Sequence, residues 1–395
     1  MRIALCADGR SPHTQRWANA VADRGHEVAL IWLESEFASS DISNFCASIT
    51  HHQVFDPANR RRLWNLPLAP LGARRLAAEL KPDLVHGLYL SGYGWIARDF
   101  GVWPLVLSAL GTDVLDLEPR PSGGGTALDR LSARYVARRT RRAVASSDLV
   151  LTDSAPLADE VRRAVPTADV RIVRFGVEIR EPSTDAGDRW RQRLAVDEDA
   201  FVLLSTRLVR PPYNIDTIVR ALPAIRARCP GAVLVLKELP RYSDPDYRAM
   251  CLETASSLGV SDAVRVVGEL ERDELLGLYS MADVYVSVPN TDGTAVSVFE
   301  AMAAGAAVVA TDAPGIDPTI LRDGESALLV PVGEAETLAA AVVKLGADSA
   351  LRRRLAERGR AVVRRYADFD REVDRAVGFY EELLARSSRR ADGDS

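Results

Sequence analysis

Short apolar runs alternate with longer amphipathic segments along most of this 395-residue chain. Each apolar run has the length of a buried strand, and most are followed by a turn and then by a segment of helical period. This alternation predicts an α/β fold built from repeated βαβ units with parallel sheets. The principal predicted strands are residues 2–7, 27–32, 83–86, 103–108, 148–152 and 169–174, and then 200–205, 232–236, 264–267, 282–288 and 306–310.

The chain is longer than a typical single hydrophobic core, so we expect two domains. The polar stretch 181–188 contains Pro182 and Gly187 and is typical of a linker. We therefore predict an N-terminal domain at 1–182 and a C-terminal domain at 183–369. A last helix is expected at 370–386, and residues 387–395 have the composition of a disordered tail.

One strand-turn-helix-strand unit, residues 282–310, carries the clearest candidate chemistry. Its turn, Asp292-Gly293, follows an apolar strand, and Gly305 is expected to end the helix. The carboxyl ends of strands in open α/β sheets bind ligands. A helix that starts there also directs unpaired amides at an anion. These amides belong to Thr294, Ala295 and Val296.

Residues 292–305 read Asp-Gly-Thr-Ala-Val-Ser-Val-Phe-Glu-Ala-Met-Ala-Ala-Gly. This resembles the hallmark of the retaining nucleotide-sugar glycosyltransferases of family 4: an acid, glycine, small or apolar residues, then a second acid and Ala-Met-Ala-x-Gly. The resemblance implies the GT-B fold, in which two Rossmann-like parallel-sheet domains face a central cleft and a C-terminal helix crosses back to the first domain. Asp292 replaces the usual Glu, and Ala295 replaces a glycine. The alternative is an ordinary βαβ turn with a solvated Glu300.

The resemblance also assigns roles. It implies that Glu300 binds the nucleotide ribose, that Asp292 binds the donor sugar, and that Arg207, the Arg of a Gly-Arg-Leu-like stretch, binds the diphosphate. These three are the predicted catalytic residues. Gly293 and the three amides would contact the donor, and the stretch holding Gly268 and Leu270 resembles the one that holds the base. Tyr213 stands where relatives carry Lys; Lys237 could supply that charge, or could be a surface lysine.

Five further residues are predicted to line the acceptor side or the cleft. His13 lies in a turn that resembles the first loop of some family members, although an N-cap region on the surface explains it equally well. His86 and Tyr89 lie at the end of a strand and in the glycine-rich aromatic loop that follows; the aromatics could instead be core. Gly111 and Asp113 belong to a turn that resembles a family motif in which Leu110 replaces the usual His.

Composition excludes several other functions. The net charge is −5 and neither half has the basic excess of a nucleic-acid binder. The four cysteines and five histidines lack zinc-site spacing, so no metal site is expected. The turn after the first strand lacks the GxGxxG fingerprint, so no nicotinamide or flavin cofactor is expected either. No segment is long and apolar enough to cross a bilayer, and we expect a cytoplasmic protein. Basic and apolar residues in 57–80 could contact an anionic membrane, or form a solvated helix face with a buried stripe.

Two acids near a turn could also indicate a glycosidase. Eight residues of helix rise about 12 Å, however, and hydrolase carboxylates lie roughly 5 to 9.5 Å apart. This spacing disfavours a hydrolase. The family resemblance implies a metal-independent retaining glycosyltransferase that moves a sugar from a UDP- or GDP-sugar to a small-molecule, glycan or lipid-linked acceptor held by the N-terminal domain. The alternatives are an epimerase or phosphorylase on the same fold, and a degenerate non-catalytic subunit.

Overall fold

The chain forms two compact units. The structure is a computed structural model that describes residues 1–33, 39–54, 69–119, 126–180, 183, 185–293 and 295–393. One unit comprises Met1–Phe175 and Asp370–Ser395, and the other comprises Gly176–Phe369. The first unit thus ends before the predicted boundary at residue 182, and the predicted linker region contributes the helix Ala186–Arg193 to the second unit.

The first unit is a seven-stranded parallel sheet with the order β3-β2-β1-β4-β5-β6-β7. Its strands are β1 Arg2–Cys6, β2 Glu27–Leu33, β3 Thr50–Val54, β4 Leu84–Leu88, β5 Leu105–Ala109, β6 Leu149–Thr152 and β7 Val170–Ile172. Its helices are α1 Pro12–Asp23, α2 Ala69–Leu80, α3 Tyr93–Asp99, α4 Ala127–Ala145, α5 Ala155–Ala164 and the C-terminal α13 Phe369–Gly393.

The second unit is a six-stranded parallel sheet with the order β10-β9-β8-β11-β12-β13. Its strands are β8 Val202–Ser205, β9 Val233–Lys237, β10 Val264–Val267, β11 Val284–Ser287, β12 Ala307–Thr311 and β13 Leu328–Val330. Its helices are α6 Ala186–Arg193, α7 Ile215–Arg226, α8 Pro245–Ser257, α9 Arg272–Ser280, α10 Val296–Ala304, α11 Ala335–Ala347 and α12 Ser349–Tyr366.

The apolar runs form strands because both faces of each sheet are covered. Every residue of β8, β11 and β12 is buried. Successive residues of β8 enter different cores: Leu203 packs in one cluster, and Val202 and Leu204 pack in another. A strand covered on both faces has no polar side, which explains why the runs are continuous rather than alternating.

Two sequence predictions need correction. Strand β3 (Thr50–Val54) was not predicted, because Thr-His-His-Gln-Val is a polar sheet-edge strand without an apolar run. The tail predicted as disordered from residue 387 is helical through Gly393, because α13 continues to the end of the described residues. Its polar composition reflects a helix whose last turns are exposed up to Arg389.

Strand order reverses once in each sheet. The chain builds β2 and β3 on one side of β1 and then continues with β4 on the other side. In the second unit β9 and β10 lie on one side of β8, and β11 lies on the other. Ligands of open α/β sheets bind beyond the carboxyl ends of the strands at such reversals. The β1/β4 and β8/β11 ends are therefore the places to search for a site.

Candidate active site

Two of the predicted catalytic residues meet at the β8/β11 reversal. Arg207 follows β8, and Asp292 lies in the loop that follows β11. Nη2 of Arg207 is 2.7 Å from Oδ2 of Asp292, and these side chains are only 10% and 20% exposed. The fold thus brings together two residues that are far apart in sequence as one largely buried ion pair.

Arg207 is held on several sides. Its Cζ lies 4.5 Å from the ring centroid of Tyr213, so the guanidinium stacks on an aromatic face. Nη1 lies 3.4 Å from Oγ of Ser297, and the buried Nε has no hydrogen-bond partner among the residues that the structure describes. Burial raises the pKa of Asp292, and the charge of Arg207 opposes that rise. A fixed planar cation with remaining N–H donors suits phosphate oxygens.

The loop that carries Asp292 is fixed by the loop after β12. Thr291 Oγ1 and the Asp292 amide both donate to the carbonyl of Pro314, at 2.9 and 3.2 Å. Gly315 has φ +93°, and a Cβ there would lie 2.5 Å from the carbonyl oxygen of Asp292. Position 315 therefore requires glycine, both for its backbone angle and for the close approach of this loop.

Glu300, the third predicted catalytic residue, lies one turn into α10 and is half-buried. The hydroxyl of Tyr279 donates to its Oε2 at 2.9 Å. Lys237 ends β9 nearby: partial burial lowers the pKa of Lys237, and the charges of Glu269 and Glu300 oppose that change. The structure thus places the predicted second cation within electrostatic reach of the second acid.

The start and end of α10 follow the predicted pattern. Ala295 is the N-cap residue, without a side-chain cap, and Val296 begins the helix directly after the loop that contains Gly293. Gly305 adopts the left-handed conformation that ends the helix, with φ +91°. Thr294 lies outside the described residues. Anion binding by these amides stays a prediction.

The residues predicted to hold the base lie after β10. Gly268 is exposed, and a Cβ there would meet nothing within 4 Å. Leu270 is half-buried and packs against the core cluster that includes Val267. Gly268 is therefore not required by packing, and its backbone contact with a base stays a prediction.

In the first unit, three of the five predicted residues lie just after the carboxyl ends of β1, β4 and β5, at or beside the β1/β4 reversal. His13 is exposed in the first turn of α1 and meets the Phe175 ring edge-on, with centroids 5.8 Å apart. Tyr89 follows β4, is 39% exposed and has φ +83°. Gly111 follows β5 and has φ +125°, a conformation that favours glycine. These three remain candidates for contact with a ligand.

Asp113 has a different role from the one predicted. It is buried, and its carboxylate accepts hydrogen bonds from the amides of Leu90 and Leu110, at 2.8 and 2.9 Å. Burial raises its pKa to about 6, and these amides oppose the rise. Its carboxylate joins the loops after β4 and β5 and so shapes them, a structural role that the sequence did not predict.

The prediction that His86 lines the cleft is wrong. Strand β4 continues to Leu88, so His86 lies inside the strand and is fully buried. Nε2 is 2.8 Å from Oγ of Ser108, and Nδ1 is 2.9 Å from the hydroxyl of Tyr380 in α13. Burial lowers its pKa to about 3. His86 therefore joins the sheet to the C-terminal helix as a neutral ring.

Sequence reasoning missed the hydroxyl groups beneath the acids. Oγ1 of Thr206 lies 2.8 Å from the hydroxyl of Tyr279 and 3.0 Å from that of Tyr285. Only the position of Thr206 beside Arg207 at the end of a strand could have indicated it. The tyrosines fall in apolar segments, where an aromatic residue usually means core.

Comparison with known proteins agrees with this geometry. Residues 2–148 match the family described as glycosyl transferase 4-like, and residues 187–362 match glycosyl transferases group 1. The D-inositol 3-phosphate glycosyltransferase of Salinispora arenicola is 31% identical over 319 residues, which cover 77% of this chain and 69% of that protein.

Solved structures share the fold across nearly the whole chain. Sucrose-phosphate synthase from Thermosynechococcus elongatus has a TM-score of 0.79 at 21% identity, covering 98% of this chain and 100% of that one. Anabaena HepE in complex with UDP-glucose has a TM-score of 0.75 at 18% identity, covering 97% and 100%. Two Rossmann-like units with this likeness constitute the GT-B fold. With the matches to both of its units and a relative above 30% identity, the chain belongs to the glycosyl transferases group 1 and is a glycosyltransferase.

Proposed function

We propose that this protein transfers a sugar from a UDP- or GDP-sugar to an acceptor held by the first unit, with retention of configuration and without a metal ion or cofactor. The observation that carries the proposal is the largely buried pair of Arg207 and Asp292 at the β8/β11 reversal, with Glu300 on the adjoining helix. The nucleotide in the HepE complex and the inositol phosphate in the relatives' name support the substrate classes.

Each charged group has a distinct task. Arg207 and the amino end of α10 bind the diphosphate and stabilise its growing negative charge as it leaves. Asp292 binds hydroxyls of the donor sugar, and Glu300 binds the ribose hydroxyls. Lys237 adds positive charge on the nucleotide side. Tyr213, in the position where relatives carry Lys, contributes by packing against Arg207.

Retention follows if the acceptor attacks on the face that the diphosphate leaves. The bond from the anomeric carbon to the diphosphate oxygen breaks, and the bond to the acceptor oxygen forms. The acceptor proton passes to a diphosphate oxygen on that same face. Among the described residues, no three or more His, Cys, Asp or Glu residues form a group suited to a metal ion. Metal independence stays a part of the proposal that activity in EDTA must test.

A thermal-shift screen of nucleoside diphosphates and their sugars tests the donor. UDP or GDP should raise the melting temperature, because a ligand that binds only the folded state stabilises it. Glu300→Ala should abolish most of that shift and lower turnover by at least about 100-fold without unfolding. Absence of a shift with every nucleotide would contradict the proposal and favour the non-catalytic subunit.

Product analysis then separates the enzyme classes. Inositol 3-phosphate, glycans and lipid-linked sugars should be supplied as acceptors with the selected donor. A transferase releases nucleoside diphosphate only when its acceptor is present, and activity should persist in EDTA. Release of nucleoside diphosphate without an acceptor would contradict the transferase activity. Inversion at the anomeric carbon would contradict retention.

Peripheral contact with an anionic membrane is a further part of the proposal, and α4 supports it. Leu128, Leu131 and Tyr135 lie on one face of this helix and are 77%, 64% and 50% exposed. Exposed arginines accompany that face, a pattern typical of helices that lie at an anionic lipid surface. Arg138 and Arg142 lie on this face, and Arg134 lies beside it.

The earlier candidate, residues 57–80, is described only from residue 69. There α2 buries Ala73 and Ala77 and exposes Leu71, Arg74 and Arg75. No helix among the described residues is long and apolar enough to span a membrane. The cytoplasmic location stays a prediction.

Vesicle sedimentation tests the contact. Vesicles of phosphatidylcholine with phosphatidylglycerol should bind the protein at low salt, and pure phosphatidylcholine should not. The double variant Leu128→Ser/Leu131→Ser should weaken binding, whereas the control Leu258→Ser, at an exposed leucine of the second unit, should not. Equal sedimentation with both kinds of vesicle would exclude a contact that depends on anionic lipid.

A further inference from the structure

Three hydroxyl groups connect beneath the candidate active site. They come from Thr206 at the end of β8, Tyr279 in α9 and Tyr285 in β11. Both tyrosines are essentially fully buried, and their ring centroids lie 5.8 Å apart. The connection ends on Oε2 of Glu300, 2.9 Å from the Tyr279 hydroxyl. Burying the two tyrosine hydroxyls is costly unless each has a partner, and the half-buried Thr206 provides one for both.

Counting hydrogens gives these hydroxyl groups one consistent set of donors and acceptors, with Ser297 free to donate to the hydroxyl of Tyr285. Tyr279 donates its single hydrogen to Oε2 of Glu300. Tyr279 must then accept from Thr206. Thr206 has no second hydrogen, so it must accept from Tyr285. All three hydrogens therefore point towards the carboxylate of Glu300.

The guanidinium of Arg207 lies near Tyr285, at the other end of this series of hydroxyl groups. Burial raises the pKa of Tyr285, and the charge of Arg207 opposes that rise. The series of hydroxyl groups thus runs from near Arg207, the proposed diphosphate-binding residue, to Glu300, the proposed ribose-binding residue. A chain oriented from cation to anion is polarised in one direction, and each hydrogen bond strengthens the next.

We propose that Tyr279, supported by Thr206 and Tyr285, is a positioning residue that holds the carboxylate of Glu300 in the orientation that binds the ribose. This inference rests on the proposed function. Glutamate has three side-chain torsions, and a carboxylate fixed before binding loses less conformational freedom when the nucleotide arrives. Tyr279 acts through Glu300 and does not itself touch the nucleotide.

Tyr279→Phe removes only the hydroxyl and keeps the buried ring. Calorimetry should show that this variant binds UDP about tenfold more weakly than the wild type, which is the loss of one modest hydrogen bond to a charged group. UDP that lacks the ribose 2′ and 3′ hydroxyls should bind both proteins equally. In a Glu300→Ala background, Tyr279→Phe should cause no further loss. If the screen selects guanine, GDP and its dideoxy analogue replace these probes.

Tyr247→Phe is the matched control. Tyr247 is also buried in the second unit and also donates to a carboxylate, that of Asp216, but it lies outside the hydroxyl chain. Its substitution should lower stability at most and leave UDP affinity unchanged. Thr206→Val and Thr206→Ser form a second pair, in which only valine should reproduce the ribose-dependent loss; this pair decides the question if Tyr279→Phe does not fold.

The outcomes separate this inference from the proposed function. Unchanged UDP affinity in folded Tyr279→Phe would overturn the positioning role while the proposed function stands. If Tyr279→Phe lost equal affinity for UDP and for the dideoxy analogue, the positioning role would also be overturned. The Tyr279 hydroxyl would then stabilise the second unit in general rather than the contact of Glu300 with the ribose. If the wild type binds neither UDP nor GDP, the proposed function fails and this inference fails with it.

Discussion

Both strand-order reversals carry an arginine paired with an aspartate, but the two pairs differ in burial and in origin. Arg10 and Asp8 lie 2.9 Å apart after β1, two residues apart in sequence, and are 47% and 26% exposed. Arg207 and Asp292 lie 2.7 Å apart on different loops and are 10% and 20% exposed. An exposed pair contributes little, whereas a buried pair leaves an uncompensated charge when one partner is lost. We therefore expect the charged pair at the β8/β11 reversal, and not the pair after β1, to take part in the reaction.

The largest effect should come from removing the buried cation. Arg207→Ala is expected to lower turnover by at least about 100-fold, because the leaving diphosphate loses its main positive contact. The pKa of Asp292 should rise further without Arg207. Arg10→Ala is the matched control and should leave turnover nearly unchanged. Steady-state release of nucleoside diphosphate measures both, and similar turnover in the two variants would remove the distinction between the pairs.

The next effect concerns the loop that positions Asp292. Gly315→Ala should destabilise the second unit by about 1–3 kcal/mol, because its backbone angle and the Asp292 carbonyl both exclude a Cβ. Turnover should fall as well, since Asp292 must move. Gly268→Ala, where a Cβ meets nothing within 4 Å, should unfold at the same urea concentration as the wild type. Equal urea midpoints for both variants would contradict the steric argument.

The last effect belongs to the first unit; it is smallest near neutral pH and grows as the pH falls. The pKa of His86 is about 3 in the folded protein, below the ordinary unfolded value of about 6.5. The unfolded chain thus binds more protons between these values, so the stabilisation from His86 is complete above about pH 6.5 and is lost as the pH falls. The stability advantage of the wild type over His86→Gln should shrink by about 1.4 kcal/mol per pH unit below about pH 6. Urea unfolding from pH 7 to pH 4.5 measures this, and a constant difference would mean that His86 titrates normally.

The sequence predicted much of the second unit and less of the first, for physical reasons. Asp292, Glu300 and Gly305 lie close together in one βαβ unit, so local spacing could locate the turn, the helix and its end. Arg207 was identified because its stretch, directly after a strand, resembles the Gly-Arg-Leu of the family. Its pairing with Asp292 and the hydroxyls beneath Glu300 depend on which strands become neighbours, and that order is not readable from local pattern.

The site residues of the first unit were harder to predict, because in the part of the chain that the structure describes none of them belongs to an ion pair at the start of a helix. A histidine at the end of an apolar run can face a ligand or lie inside the sheet, and one or two residues of strand length decide between them. In this case β4 continues two residues past His86, so His86 lies inside the sheet and is buried. Asp113 was correctly placed in a turn, but its amide partners come from two loops and could not be predicted from spacing.

The path of the chain through the two units has a practical consequence. The second unit begins and ends at one point, where Val177 and Asp368 form a bridge and the Val177 amide donates to the Ala367 carbonyl at 2.8 Å. The first unit is closed by α13, through Glu382 to Arg171 and Tyr380 to His86. The second unit is therefore an insertion within the first. Shortening the protein from its carboxyl end would damage the amino-terminal unit, whereas a fragment of residues 176–369 keeps both ends of its own sheet unit together.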